Sequence, residues 1–213
     1  MRSSLSFLIR RLLPLAALLV LAAPAAAART ILVFGDSLAA AYGIAPQQGW
    51  VHLLGERITR AQLPWTVVNA SVSGETTAGG LRRLPEDLKR HKPAAVVIEL
   101  GANDALRGQP IAQIRANLEQ MIKLARQAHA EPVLVGIVIP PNYGIDYAAE
   151  FRGLYAALAK KHRIAHVPFL LAGVVDKRDN FQADQLHPTA AAQPLILDNV
   201  WTTLEPLLRK RAP

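Results

Sequence analysis

Apolar residues in this chain cluster in two ways that alternate along its length. Short, almost unbroken apolar runs occur at 31–34, 65–69, 94–100, 133–139 and 164–167, with the length and texture of parallel strands covered on both faces. The segments between them space their apolar residues three and four apart, as a helix with one buried side does. Such helices are predicted at 50–61, 81–90, 111–129, 147–161 and 190 to about 204. The longest carries Ile114, Leu118, Met121, Ile122 and Ala125 on one side, and Thr189 stands where it can cap the last one. Strand and helix alternate about five times with no internal repeat. That pattern predicts one three-layer α/β/α domain with right-handed crossovers.

The alternation has a consequence for function. Strands of a parallel sheet end on one side, where open α/β folds bind their ligands. Small-residue loops at 35–37, 71–74 and 101–104 each follow a predicted strand, so the three converge in space. The region from Pro168 to Gln185 has no clear period and ends in Leu186-His187-Pro188, the setting of an active-site loop.

Residues 1–28 stand apart from this pattern. Arg2, Arg10 and Arg11 precede or open an apolar run from Leu12 to Leu21, and Pro24 to Ala28 offers several Ala-x-Ala matches. This reads as a secretory signal peptide cleaved between Ala26 and Ala28, with delivery to the periplasm or beyond. A retained signal anchor is the other reading, and the run is short for a span of ~20 residues. The domain is then expected over 29–207, with 208–213 as a basic tail carrying Arg209, Lys210 and Arg211.

The chain holds 24 basic and 16 acidic residues, a net charge of +8. Three of the arginines belong to the leader, and the others scatter over polar helix faces. That distribution argues against nucleic acid and allows at most a peripheral attraction to anionic membrane surfaces. No cysteine is present, which excludes a thiolate nucleophile, a Cys metal site and disulfides.

Ser37 in Gly35-Asp36-Ser37 ends the first strand run and is the candidate nucleophile. Of six histidines, His52, His129 and His162 fall in helices or at their ends, His91 precedes a strand and His166 lies in one. His187 is left as the base. Asp184, three residues earlier, can meet its Nδ1 in a turn, leaving Nε2 to face a hydroxyl. Acyl transfer also needs donors for the oxyanion, and the converging loops offer the Ser37 and Gly74 N–H groups and the Asn103 amide. Asp36 and Asp104 read as acceptors that hold these loops. Other readings of the same residues stay open: turn glycines at 35, 74 and 101, a surface His187, or a metal pair on Asp36, Asp104 and Asp184.

Four blocks together carry a resemblance: Phe34-Gly35-Asp36-Ser37-Leu38, Asn69 to Thr77, Glu99-Leu100-Gly101-Ala102-Asn103-Asp104, and Asp184-Gln185-Leu186-His187-Pro188. In this order they resemble the GDSL/SGNH hydrolases, most closely the secreted bacterial branch of arylesterases, thioesterases and lysophospholipases. The resemblance spans the chain from about Thr30. It implies a flavodoxin-like sheet of five parallel strands in the order 2-1-3-4-5, and no cofactor or metal. It gives Ser37, Asp184 and His187 as the triad, and Ser37, Gly74 and Asn103 as the oxyanion hole. Two positions depart from the family pattern. Gln185 stands where a glycine is common, which is strained if its φ is positive, and Ala39 and Ala41 stand for a serine and a glycine.

Leu106, Ile111, Ile139, Pro141, Tyr143 and Ile145 follow the third and fourth strands and are the candidate acyl-binding residues. The expected substrates are small acyl esters and thioesters, with lysophospholipids as candidates and no obligate protein partner. A carbohydrate-ester deacetylase of the same family and a non-catalytic lipid- or glycan-binding α/β module are the alternatives.

Overall fold

A computed structural model of the protein describes residues 28–211. The leader reading therefore falls, apart from Ala28, outside the described residues. Five parallel strands form one sheet: β1 (Arg29–Gly35), β2 (Trp65–Asn69), β3 (Ala95–Glu99), β4 (Glu131–Val135) and β5 (Ala165–Val167). Their order is β2-β1-β3-β4-β5, the order that the family resemblance implies.

The sheet splits the core by residue parity, because successive side chains of a strand face opposite ways. Ile31, Val33, Val97, Val133 and Val167 pack under α1 (Trp50–Arg60) and the last helix, α6 (Gln193–Lys210). Leu32, Phe34, Val96, Ile98 and Leu134 pack under α2 (Thr77–His91), α4 (Ile111–Gln127) and α5 (Ile145–His162). The remaining helix, α3 (Ala102–Leu106), is a single short turn after β3. Trp50 is fully buried, and its indole N–H donates to the Leu38 carbonyl at 3.0 Å. It thereby ties α1 to the loop that follows Ser37.

Some element limits differ from the sequence expectation, each for a local reason. Helix α2 starts at Thr77 rather than 81, because the Thr76 hydroxyl caps it by accepting the Gly79 N–H at 3.1 Å. Its glycine at 80 lets the helix approach the sheet, since a Cβ there would lie 2.6 Å from Leu100. Strand β4 stops at Val135 instead of running to 139. A Cβ at Gly136 would sit 2.3 Å from the Pro168 carbonyl, so the chain crosses that backbone closely and then leaves the sheet. Thr189 makes no side-chain cap; a 3-10 turn at Ala190–Ala192 leads into α6 instead.

Residues 208–210, expected in a loose tail, are the last turn of α6. Leu208 is fully buried there, and Arg209 pairs with Glu205 at 2.8 Å. Arg211 pairs with Glu131, and the Arg29 guanidinium donates to the Arg211 carbonyl. The two ends of the described chain thus meet beside β1. Among the described residues no helix is long and apolar enough to cross a membrane.

Candidate active site

All three edge loops open on the carboxyl side of the sheet, and Ser37 lies just beyond the end of β1. Its Oγ is 2.9 Å from His187 Nε2, across 150 positions of chain. His187 Nδ1 is 2.7 Å from Asp184 Oδ2. The other Asp184 oxygen accepts the Leu186 and His187 backbone N–H groups, each at 3.0 Å. These bonds, the one from the imidazole foremost, hold the Asp184 carboxyl down to about 2.

The loop that carries this pair is a tight excursion. Gln182 N–H donates to the His187 carbonyl at 2.8 Å, and Phe181 and Pro188 form an antiparallel bridge. Its tip needs a left-handed residue, and Gln185 supplies it with φ +57°. The strain foreseen for a glutamine there is therefore present. Its side chain offsets part of it by accepting from Arg178 Nε at 2.9 Å and donating to the Gln182 carbonyl at 3.0 Å.

The nucleophile side is buried. Asp36 is fully enclosed and accepts the Leu38 N–H and the Asn103 side-chain amide, both at 3.0 Å. Burial pushes its carboxyl up to about 6. Glu99, at the end of β3, is also fully buried and accepts the Asp36 N–H at 3.2 Å. Burial, with the neighbouring Asp36 charge, raises its carboxyl well above the usual range. Asp104 is spent on α2, accepting the Thr77 N–H at 2.8 Å and the Thr77 hydroxyl at 2.5 Å, while Asn117 donates to that hydroxyl at 3.0 Å. Asp36 and Asp104 thus act as loop acceptors. Among the described residues no group of three His, Asp or Glu side chains could hold a metal ion, so the metal-pair reading of Asp36, Asp104 and Asp184 is not assembled.

Gly74 lies in the exposed loop after β2 with φ +79°, a conformation that a glycine adopts without strain. Its carbonyl accepts from Arg107 at 3.3 Å, and Arg83 holds the same loop through the Ala70 carbonyl at 2.8 Å and Glu75 at 3.2 Å.

An apolar cleft of about 220 Å³ runs from Ser37, Asn103 and His187 along Leu106, Ile139 and Leu186. Of the acyl-binding candidates, Leu106 and Ile139 line it. Pro141 and Ile145 line a separate hollow that shares Ile139. Ile111 is instead buried in the core beneath α4, because it lies on that helix's apolar stripe. Tyr143 is exposed and lines neither space. The cleft walls also include Ile137, Val138, Leu171, Val175 and Phe181, none of which the sequence pattern singled out. The first two lie in the apolar run read as strand, and the others in the region without a period.

A serine, an imidazole and a carboxylate in a hydrogen-bonded series, beside the Asn103 amide and an apolar cleft on a parallel sheet, define the class of α/β acyl hydrolases. Residues 33–194 match the GDSL-like lipase/acylhydrolase family model, and the chain belongs to that family. It is 52% identical over 190 residues to esterase TesA of Pseudomonas aeruginosa, covering 89% of this chain and 94% of that protein. It is 41% identical over 196 residues to thioesterase 1/protease 1/lysophospholipase L1 of Escherichia coli K12, covering 92% and 93%. The crystal structure of the psychrotrophic esterase EstA from a Pseudoalteromonas species, inhibited by monoethylphosphonate, superposes with a TM-score of 0.81 at 40% identity. That match covers 85% of this chain and 99% of that one.

Proposed function

We propose that the protein hydrolyses carboxylic esters and thioesters through an acyl-enzyme on Ser37. As the hydroxyl attacks the substrate carbonyl, His187 Nε2 takes its proton and Asp184 stabilises the imidazolium. The oxyanion is received by the Ser37 and Gly74 N–H groups and by Asn103 Nδ2. One hydrogen of that amide is directed to Asp36, which fixes the plane of the other. His187 then protonates the departing alcohol, phenol or thiol. Water, activated by the same imidazole, releases the acid and restores the serine.

The observation that carries this reading is the 2.9 Å contact between Ser37 Oγ and His187 Nε2, within the reach that proton transfer requires. The cleft, at about 220 Å³, is below the usual range for drug-sized ligands and suits short to medium acyl groups. Leader removal, followed by work in the periplasm or outside, is part of the same proposal and rests on the pattern of residues 1–28.

The test is labelling with a fluorophosphonate probe alongside a panel of p-nitrophenyl esters, acyl-CoAs and lysophospholipids. Wild type is expected to be labelled and Ser37→Ala not, with p-nitrophenyl ester rates falling beyond medium chain length. Folded wild type that takes no label would point to a binding module, and a rate maximum at very long acyl groups would overturn the chain-length reading.

A further inference from the structure

Tyr42 follows the nucleophile by five positions, and its ring lies against the imidazole of His187. The ring centroids are 4.4 Å apart and the planes are inclined by 39°. Burial does not explain the placement, since Tyr42 is 51% exposed, and the ring does not line the apolar cleft. Its position is nevertheless fixed from three sides. The Tyr42 N–H donates to the Ser37 carbonyl at 3.2 Å. The Tyr42 carbonyl accepts from Gln182 Nε2 at 2.8 Å, and the same amide nitrogen donates to the Pro188 carbonyl at 3.0 Å. Ala41, just before it, holds a left-handed φ of +59°, a conformation that a non-glycine residue adopts only under strain. A clasp thus joins the nucleophile loop to the histidine loop, and it carries the ring to the face of the base.

We infer that Tyr42 is a positioning residue for the base, its ring face receiving the imidazolium that forms when His187 takes the Ser37 proton. The inference rests on the triad reading above. No covalent step is added: the proton moves from Ser37 Oγ to Nε2, and the ring acquires a full positive charge. The edge at Nδ1 is met by the Asp184 carboxylate. Behind Ser37 stand the buried Asp36, whose charge reaches His187, and Glu99 beyond it. Arg178, on the histidine loop, is engaged by Gln185. The face of the imidazole is the direction these groups leave open, and an aromatic face attracts a cation there.

The experiment compares Tyr42→Phe and Tyr42→Leu on a soluble p-nitrophenyl ester across pH, with thermal unfolding to verify folding. Tyr42→Phe keeps the face and is expected to stay within about two-fold of wild type. Tyr42→Leu is expected to lower kcat/KM about three- to five-fold. It should also move the midpoint of the acid limb downward, because a cation that loses its partner gives up its proton more readily. A ring that merely kept water from the Asp184–His187 bond would move that midpoint upward on removal, since hydration favours the charged form.

An upward shift, no change in Tyr42→Leu, or an equal loss in Tyr42→Phe would each overturn the inference. Should Tyr42→Leu fail to fold, NMR titration of the His187 imidazole in Ser37→Ala and in Ser37→Ala/Tyr42→Met gives the same decision. A midpoint lowered by loss of the ring face supports the inference, and an unchanged or raised one refutes it. Failure of the triad reading itself would show separately, as wild type that takes no fluorophosphonate label.

Discussion

The two halves of the site are built by opposite means. The nucleophile half is part of the core: Asp36 and Glu99 are fully enclosed, Asp104 is 3% exposed, and each is held by groups from another loop or helix. The base half stands on a surface excursion in which the Asp184 side chain is 39% exposed, and short-range hydrogen bonds set its shape. The environments act oppositely on carboxyl groups. Burial raises Asp36 and Glu99, whereas hydrogen bonding lowers Asp184. An enclosed floor thus carries Ser37 and Asn103, and an exposed arm brings His187 within 2.9 Å of Ser37.

The sharpest test of this contrast lies on the arm. Asp184→Asn should lower kcat about ten-thousand-fold, by analogy with the loss of the same role in other triads, while the unfolding midpoint at neutral pH falls only by the part that the exposed carboxylate's charge contributes. A large loss of stability would show that the arm is structural after all. On the floor, Asn103→Ala should cost a hundred- to thousand-fold in kcat on a good ester, about 3 kcal/mol, with KM little changed. Full kcat in that variant would remove Asn103 from the oxyanion hole.

The pH dependence of stability separates the halves by sign. Asp184 has a lowered folded value, so its contribution is present above about pH 4 and is lost as the pH falls toward 2. Glu99 has a raised one, so its contribution is present in acid and is lost as the pH rises through that value. Glu99→Gln keeps an oxygen for the Asp36 N–H and has no proton to lose. Its unfolding midpoint, followed by calorimetry, should fall less steeply than that of wild type as the pH is raised from the ordinary carboxylate range upward; parallel curves would contradict the assignment. The smallest effect is expected at the clasp. Ala41→Gly relieves a φ of +59° and should stabilise by about 0.5 kcal/mol once glycine's extra chain entropy is subtracted. That corresponds to about 1–2 °C in Tm.

The same contrast governs what could be read from the chain. Strand ends followed by small polar residues mark the edge loops, so the placement of Ser37, Gly74 and Asn103 in the loops after β1, β2 and β3 was legible from where the runs end. His187 and Asp184 were legible because three residues of separation in a turn suit an imidazole and a carboxylate. The cleft wall was not. Ile137 and Val138 continue an apolar run, and nothing in that run announces the close crossing at Gly136 that ends β4. Leu171, Val175 and Phe181 fold inward from a stretch with no period, and Ile111 belongs to a helix stripe that buries it elsewhere. Glu99 closes a strand of apolar residues, so its burial depends on neighbours three strands wide. Tyr42 has no local signature, because its partner lies far along the sequence.

Arg29 at the head of β1 and Arg211 past the end of α6 are in contact, on the side of the sheet away from Ser37. A short linker from Arg211 to Arg29 would therefore close the domain over residues 29–211, and new ends cut into a surface loop would give a circular permutant of that segment with Ser37 and His187 undisturbed. The same location makes the Arg29–Arg211 corner a natural point for tethering the domain to a bead or a carrier, with the mouth of the cleft turned toward its substrate.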